Sequence, residues 1–156
     1  MKPNIKNLII ALVIPLLVGG LSALLSGSGM ADYALLNKPP LSPPGWVFPV
    51  VWTILYLLMG YASYRIYTSN ADPKEKKQAL GLYALQLFFN FLWSIVFFGL
   101  GWRLVAFFVL LILWVLIVLT IRAFSKIDDK AADLLLPYLL WVTFAGYLNI
   151  TAYLLN

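Results

Sequence analysis

Between Ala79 and Ile121 the chain runs for 43 residues with a single charge, Arg103. A helix of that length is about 65 Å long, roughly twice the ~30 Å hydrocarbon core of a bilayer. Such a run must fold back as a hairpin of two membrane-spanning helices. The turn is expected at "GLGWR", where Gly99 and Gly101 relax the backbone and Trp102 with Arg103 suit a water–lipid interface. Composition agrees: 63% of residues are apolar and 11% charged, against roughly 45–50% and about 25% in soluble domains.

Three further apolar runs are long enough to cross. The expectation is an all-α, integral membrane bundle of five transmembrane helices forming one domain over residues 1–156. The spans lie at about 8–26, 46–64, 79–100, 104–121 and 134–155, with an outer loop at 27–44. The first run follows "MKPNIK" like a signal peptide. Its 19 residues exceed an h-region of roughly 7–15, and it is read as a retained helix. With five spans, nine of the eleven Lys and Arg residues fall on one side, and only Lys38 and Arg103 lie opposite. The positive-inside rule then puts the N-terminus in the cytoplasm and the C-terminus outside. The loops "NADPKEKKQ" and "SKIDDKAAD" read as solvated, charged connectors.

The chain has neither cysteine nor histidine. That removes disulfides, thiolate and imidazole metal sites, and every nucleophilic dyad with a histidine base. The formal charge of +5 is accounted for by membrane topology, so nucleic acid is not an expected partner. No metal site and no intrinsic cofactor are expected.

Polar side chains inside a bilayer are costly unless paired or lining a cavity. In the third span Gln86, Asn90, Trp93 and Phe97 follow i, i+4, i+7, i+11 spacing and share a face. Phe48, Trp52, Tyr56, Met59 and Ser63 do the same in the second span. Trp141, Ala145, Leu148 and Asn149 do so in the fifth, where Ala145 and Gly146 leave room. Taken singly, each amide is interhelical glue worth ~0.6 kcal/mol. Taken together, aromatic walls with convergent amides describe a pocket for a flat, largely apolar ligand. Trp46, Trp102 and Tyr153 are assigned to the interface belt, and Trp52, Trp93 and Trp141 to deeper positions. The fourth span, apolar on all sides, is expected to face lipid or another subunit. In the first span Pro15 suggests a kink, and Gly19, Gly20, Ala23 and Ser26 suggest close packing.

Loops beyond about 12–15 residues tend to be lids or binding loops, and the outer loop "GSGMADYALLNKPPLSPP" has 18. "MADYALLN" suits a short helix with Asp32 near its start and Leu35 and Leu36 facing inward. Pro39, Pro40, Pro43 and Pro44 stiffen the second half of the loop as extended backbone, and Ser42 is placed to cap the second span. A lid carrying Asp32, Tyr33, Leu36, Lys38, Pro39 and Pro40 is one reading; a plain rigid connector is the other.

The segments "KPPLSPPGWVFPVVWTILYLLMGYASY", "GLYALQLFFNFLWSIVFFG" and "LLLPYLLWVTFAGYLN" stand in an order and spacing that resemble a bacterial member of the TspO/MBR family (tryptophan-rich sensory protein/translocator protein, or peripheral-type benzodiazepine receptor). The resemblance implies a homodimeric five-helix protein of the bacterial inner membrane whose pocket opens toward the loop after the first helix. It implies protoporphyrin IX, isoquinoline carboxamides and benzodiazepines as ligands, and cholesterol in eukaryotic members. Carried over by motif, Trp52, Asn90, Trp93, Trp141 and Ala145 are family pocket positions; with Phe48, Tyr56, Phe89 and Leu148 they make the expected ligand-binding set. Ile150 stands where the family's cholesterol motif has tyrosine, so that motif is incomplete here.

Some bacterial members promote light-dependent porphyrin degradation, which makes Trp52 and Trp141 the photochemical candidates. In that reading the excited pigment supplies the chemistry and no acid–base residue is needed. Propionates would sit toward the wet mouth, where Lys38 meets either one of them or a lipid headgroup. The alternative function is a transporter or stress sensor that moves or reports a tetrapyrrole or lipid without altering it. Active transport is disfavoured by the lack of an intramembrane carboxylate or histidine. A structural partner whose pocket holds lipid is the third reading.

Overall fold

The structure, a computed structural model, describes residues 4–156. All its regular elements are helical. They are α1 (Ile5–Leu25), α2 (Gly29–Ala34), α3 (Val47–Tyr67), α4 (Pro73–Ser94), a π-turn (Ile95–Gly99), α5 (Arg103–Ser125), α6 (Asp129–Leu134) and α7 (Leu136–Leu155). Five helical units are long and apolar enough to span a membrane: α1, α3, α4 with its π-turn, α5, and α6 with α7. This is the expected multi-pass bundle.

α1 and α4 run past the apolar runs from polar N-caps. Asn4 accepts the Asn7 N–H and starts α1 three residues before the apolar run. Asp72 caps α4, with Pro73 in its first turn. The hairpin turns where expected: Gly101 adopts φ +68°, and α5 begins at Arg103.

The fourth span departs from its expected role. Along α5, Ala106, Leu110, Leu113, Ile117 and Phe124 are buried, while Phe108, Ile112 and Val115 on other sides are exposed. It packs one face on α4 and α7 and turns the rest outward. A uniformly apolar helix carries no periodicity from which that face can be read. The outermost span is instead α1, in which only Pro15 and Ser22 are buried. It docks on α3, where Gly60 brings the backbone against Ala11 and Leu12.

At the end of the bundle away from α2, Arg65 forks onto Asp128: Nε to Oδ2 at 2.7 Å and Nη2 to Oδ1 at 3.3 Å. Both side chains are partly exposed. Burial raises the Asp128 carboxyl, but Arg65 and the Lys130 and Ala131 N–H groups more than reverse this and hold it below the usual carboxylate range. A depressed carboxylate stabilises above its unfolded value near ~4 and loses that contribution as pH falls through the folded one. Asp128→Asn is therefore expected to lower stability by about 1 kcal/mol at pH 7. The difference from the parent should vanish below the folded value, measured by denaturant titration at both pH values.

Candidate functional site

The three faces read from sequence converge at the α2 end of the bundle. Tyr56 donates to Asn90 Oδ1 at 2.9 Å, Asn90 Nδ2 donates to the Tyr138 hydroxyl at 2.8 Å, and Tyr138 donates to Gln86 Oε1 at 2.6 Å. All four side chains are buried. This ladder ties α3, α4 and α7 together and fixes the Asn90 amide. Trp93 is fixed in the same way, its Nε1 donating to Asn149 Oδ1 at 2.9 Å. Asn149 Nδ2 in turn donates to the Arg103 carbonyl.

Above this floor stands Trp52, stacked on Tyr56 with centroids 5.5 Å apart, 6.4 Å from Trp93 and edge-on to Tyr138 at 6.2 Å. It divides two spaces. Toward α1 lies a cavity of about 410 Å³, bounded by Gly19, Ala23, Trp52, Tyr56, Asn90 and Trp93 among others. Gly20, Ala23, Pro49 and Thr53 on its rim are exposed, so it opens sideways toward the lipid. Gly19 makes the space possible, since a Cβ there would meet the Tyr56 ring. Toward α7 lies a much smaller chamber of about 10 Å³ between Tyr33, Phe48, Trp52, Trp93, Trp141 and Leu148, with Ala145 also in its wall.

Of the expected ligand-binding residues, Phe48, Trp52, Tyr56, Asn90, Trp93, Trp141, Ala145 and Leu148 line one space or the other. Phe89 lines neither and packs edge-on against exposed Phe88. Leu16, Gly19, Gly20, Ala23, Ser26 and Met30 were not foreseen as lining residues. Gly19, Gly20, Ala23 and Ser26 carry only the signal of a run of small residues, which close helix packing explains equally well, and Leu16 and Met30 carry none.

The outer loop folds against the bundle, on a different anchor from the one expected. α2 spans Gly29–Ala34 with Asp32 in its first turn. The inward side chain is Tyr33, set among Phe48, Phe97 and Phe98 at 5.7–5.9 Å. Leu36 packs against the core, but Leu35 is 86% exposed, contrary to expectation, because α2 has ended and the chain has turned. Ser42 does not cap α3. Its hydroxyl donates to the Pro39 carbonyl, and α3 begins at Val47 with no side-chain cap. Burial pushes the Tyr33 phenol above its ordinary value, and the neighbouring Ser42 hydroxyl pulls the other way.

Pro39 is buried and Pro40 exposed. Lys38 is exposed, donates to the Ala34 carbonyl and lies 5.6 Å over the Tyr33 ring. The loop is tied to α7 by Tyr147, which donates to the Pro40 carbonyl at 2.8 Å, and by Asn156. The Asn156 amide accepts the Asn37 N–H at 3.1 Å and donates to the Asn37 carbonyl at 2.9 Å. Directly after the second tie Leu41 is held at φ 73°, which a loose loop would relax.

A bundle of five spans with an aromatic chamber beneath a tethered loop defines a small multi-pass membrane protein. Residues 11–154 match the TspO/MBR family, and the chain belongs to it. It is 43% identical over 124 residues to the tryptophan-rich protein TspO of Chlorobaculum tepidum, covering 80% of this chain and 78% of that one. It is 44% identical to the tryptophan-rich sensory protein of Cereibacter sphaeroides, over 80% and 76% of the two chains. Identity to the translocator protein of Bos taurus is 43%, over 79% and 73%.

Proposed function

We propose that this chain is a receptor for porphyrins of the protoporphyrin IX type, and for flat isoquinoline carboxamide or benzodiazepine ligands, acting as a homodimer in a bacterial cell membrane. The observation that carries the reading is the position of Trp52. One side of its indole borders an open cavity with Tyr56 and Trp93, and the other borders the chamber closed by Trp141. Trp52 is common to both walls, so a rotation of this one side chain would bring the two spaces together. Large flat ring systems are bound by aromatic slots through stacking and apolar burial.

Under light and oxygen the bound pigment would supply the photochemistry, with Trp52 and Trp141 as the indoles we assign to it. Titration of the purified protein with protoporphyrin IX in the dark, followed by tryptophan quenching, tests binding. The same samples in light, followed by absorbance, test turnover. At saturating pigment, Trp52→Phe and Trp141→Phe are each expected to slow bleaching by roughly an order of magnitude or more. Bleaching at the parent rate in both variants would reject the photochemical role and leave a receptor without turnover.

A further inference from the structure

A groove of about 690 Å³ opens at the α2 end of the bundle, between the start of α5 and the last turn of α7. It shares no lining residue with the aromatic chamber. Arg103 stands at its head with Trp102 and Tyr153 beside it, and Leu104, Val105 and Leu154 supply its apolar lining. Trp and Tyr at the ends of two spans mark the boundary between headgroups and hydrocarbon. The groove is therefore polar where it meets water and aliphatic where it enters the membrane.

Arg103 is half-buried. Its backbone is pinned, because Asn149 Nδ2 donates to the Arg103 carbonyl at 2.8 Å and the Arg103 N–H donates to the Gly101 carbonyl at 3.0 Å. Among the described residues its guanidinium forms no ion pair, and no Asp or Glu side chain lines the groove. The counter-charge has to come from outside the chain. A planar guanidinium fork matches the oxygens of a phosphate. A soluble phosphate would leave Leu104, Val105 and Leu154 exposed, whereas a phospholipid places its phosphate at Arg103 and lays an acyl chain on the three aliphatic side chains.

The far end of the groove is closed by Asn156. Its amide donates to the Ala152 carbonyl within α7 and holds the outer loop through both backbone groups of Asn37. Whatever orders the last turn of α7 also orders the loop.

We propose that this groove is a binding site for a glycerophospholipid, with Arg103 receiving the phosphate, and that a lipid seated there braces the tie between Asn156 and Asn37. The site is independent of what the chamber binds.

The test uses the full chain, stripped of lipid in a maltoside detergent and titrated with phosphatidylglycerol or with diacylglycerol of the same chains, bound lipid being counted by native mass spectrometry. The parent is expected to bind one phosphatidylglycerol roughly tenfold more tightly than Arg103→Gln does. Arg103→Lys, which keeps the cation, should lose less, and diacylglycerol should bind parent and variants alike. Hydrogen exchange at the Asn37 amide should slow severalfold when phosphatidylglycerol binds the parent. In Asn156→Ala the lipid should still bind and that response should vanish. Equal affinity of the parent and Arg103→Gln for phosphatidylglycerol, or of the parent for the two lipids, would overturn the site. Inorganic phosphate that displaces phosphatidylglycerol at millimolar concentration and slows Asn37 exchange by itself would replace the lipid with a soluble anion. Binding that depends on Arg103 but leaves Asn37 exchange unchanged would overturn the brace.

Discussion

Gly60→Ala is expected to destabilise the bundle by about 2–3 kcal/mol, the usual effect of forcing atoms into a packed contact. A Cβ at Gly60 would stand 2.6 Å from the Ala11 carbonyl oxygen and 2.8 Å from Leu12 Cα. Both are backbone atoms and cannot rotate away, so α1 and α3 must separate along their length. Gly81→Ala is the matched control: it lies in α4, it is exposed, and a Cβ there meets nothing within 4 Å. The control should be neutral or stabilising by up to ~1 kcal/mol, since alanine is the better helix former. Thermal unfolding of both variants in one detergent decides the matter. Equal melting temperatures would mean that α1 is not held by this contact.

Gly29→Ala is expected to unseat the lid while leaving the bundle intact. A Cβ at Gly29 would overlap the Phe98 carbonyl oxygen and carbon in the π-turn. α2 then has to lift, taking Tyr33 out of its seat among Phe48, Phe97 and Phe98. Hydrogen-exchange protection across Gly29–Ala34 should fall by roughly 10–100-fold, with α3 and α4 unchanged. Dissociation of bound porphyrin should quicken by roughly tenfold, since closing a site acts chiefly on the off-rate. Unchanged exchange in α2 would show that the lid accommodates the methyl group without moving.

The bundle was legible because span length and charge placement are coarse signals that tertiary contacts cannot override. The faces of α3, α4 and α7 were legible because each carries polar or aromatic residues at helical spacing, and such residues must turn inward in lipid. Gln86, Asn90, Tyr56 and Asn149 are accordingly all buried. The face of α5 was hidden, since leucine and valine fit lipid and protein alike. The π-turn was hidden too. Nothing in "IVFFG" distinguishes it from an α-helix, yet it brings Phe97 and Phe98 together beneath Tyr33. Leu35 was misplaced because six residues of helix carry less than two turns of phase. The ties from Asn156 to Asn37 and from Tyr147 to Pro40 span 119 and 107 positions, and sequence periodicity says nothing at that range.

The groove between α3 and α7 has a mechanical consequence. Among the described residues these two helices do not lie backbone to backbone along their length, unlike α1 with α3 or α4 with α5. Side chains such as Leu55, Leu58, Trp141 and Phe144 line the interval instead. Side-chain rotation is a softer mode than helix separation, so swelling of the interior is expected to be taken up at this seam, as an expansion joint takes up strain, before the glycine contact between α1 and α3 gives way.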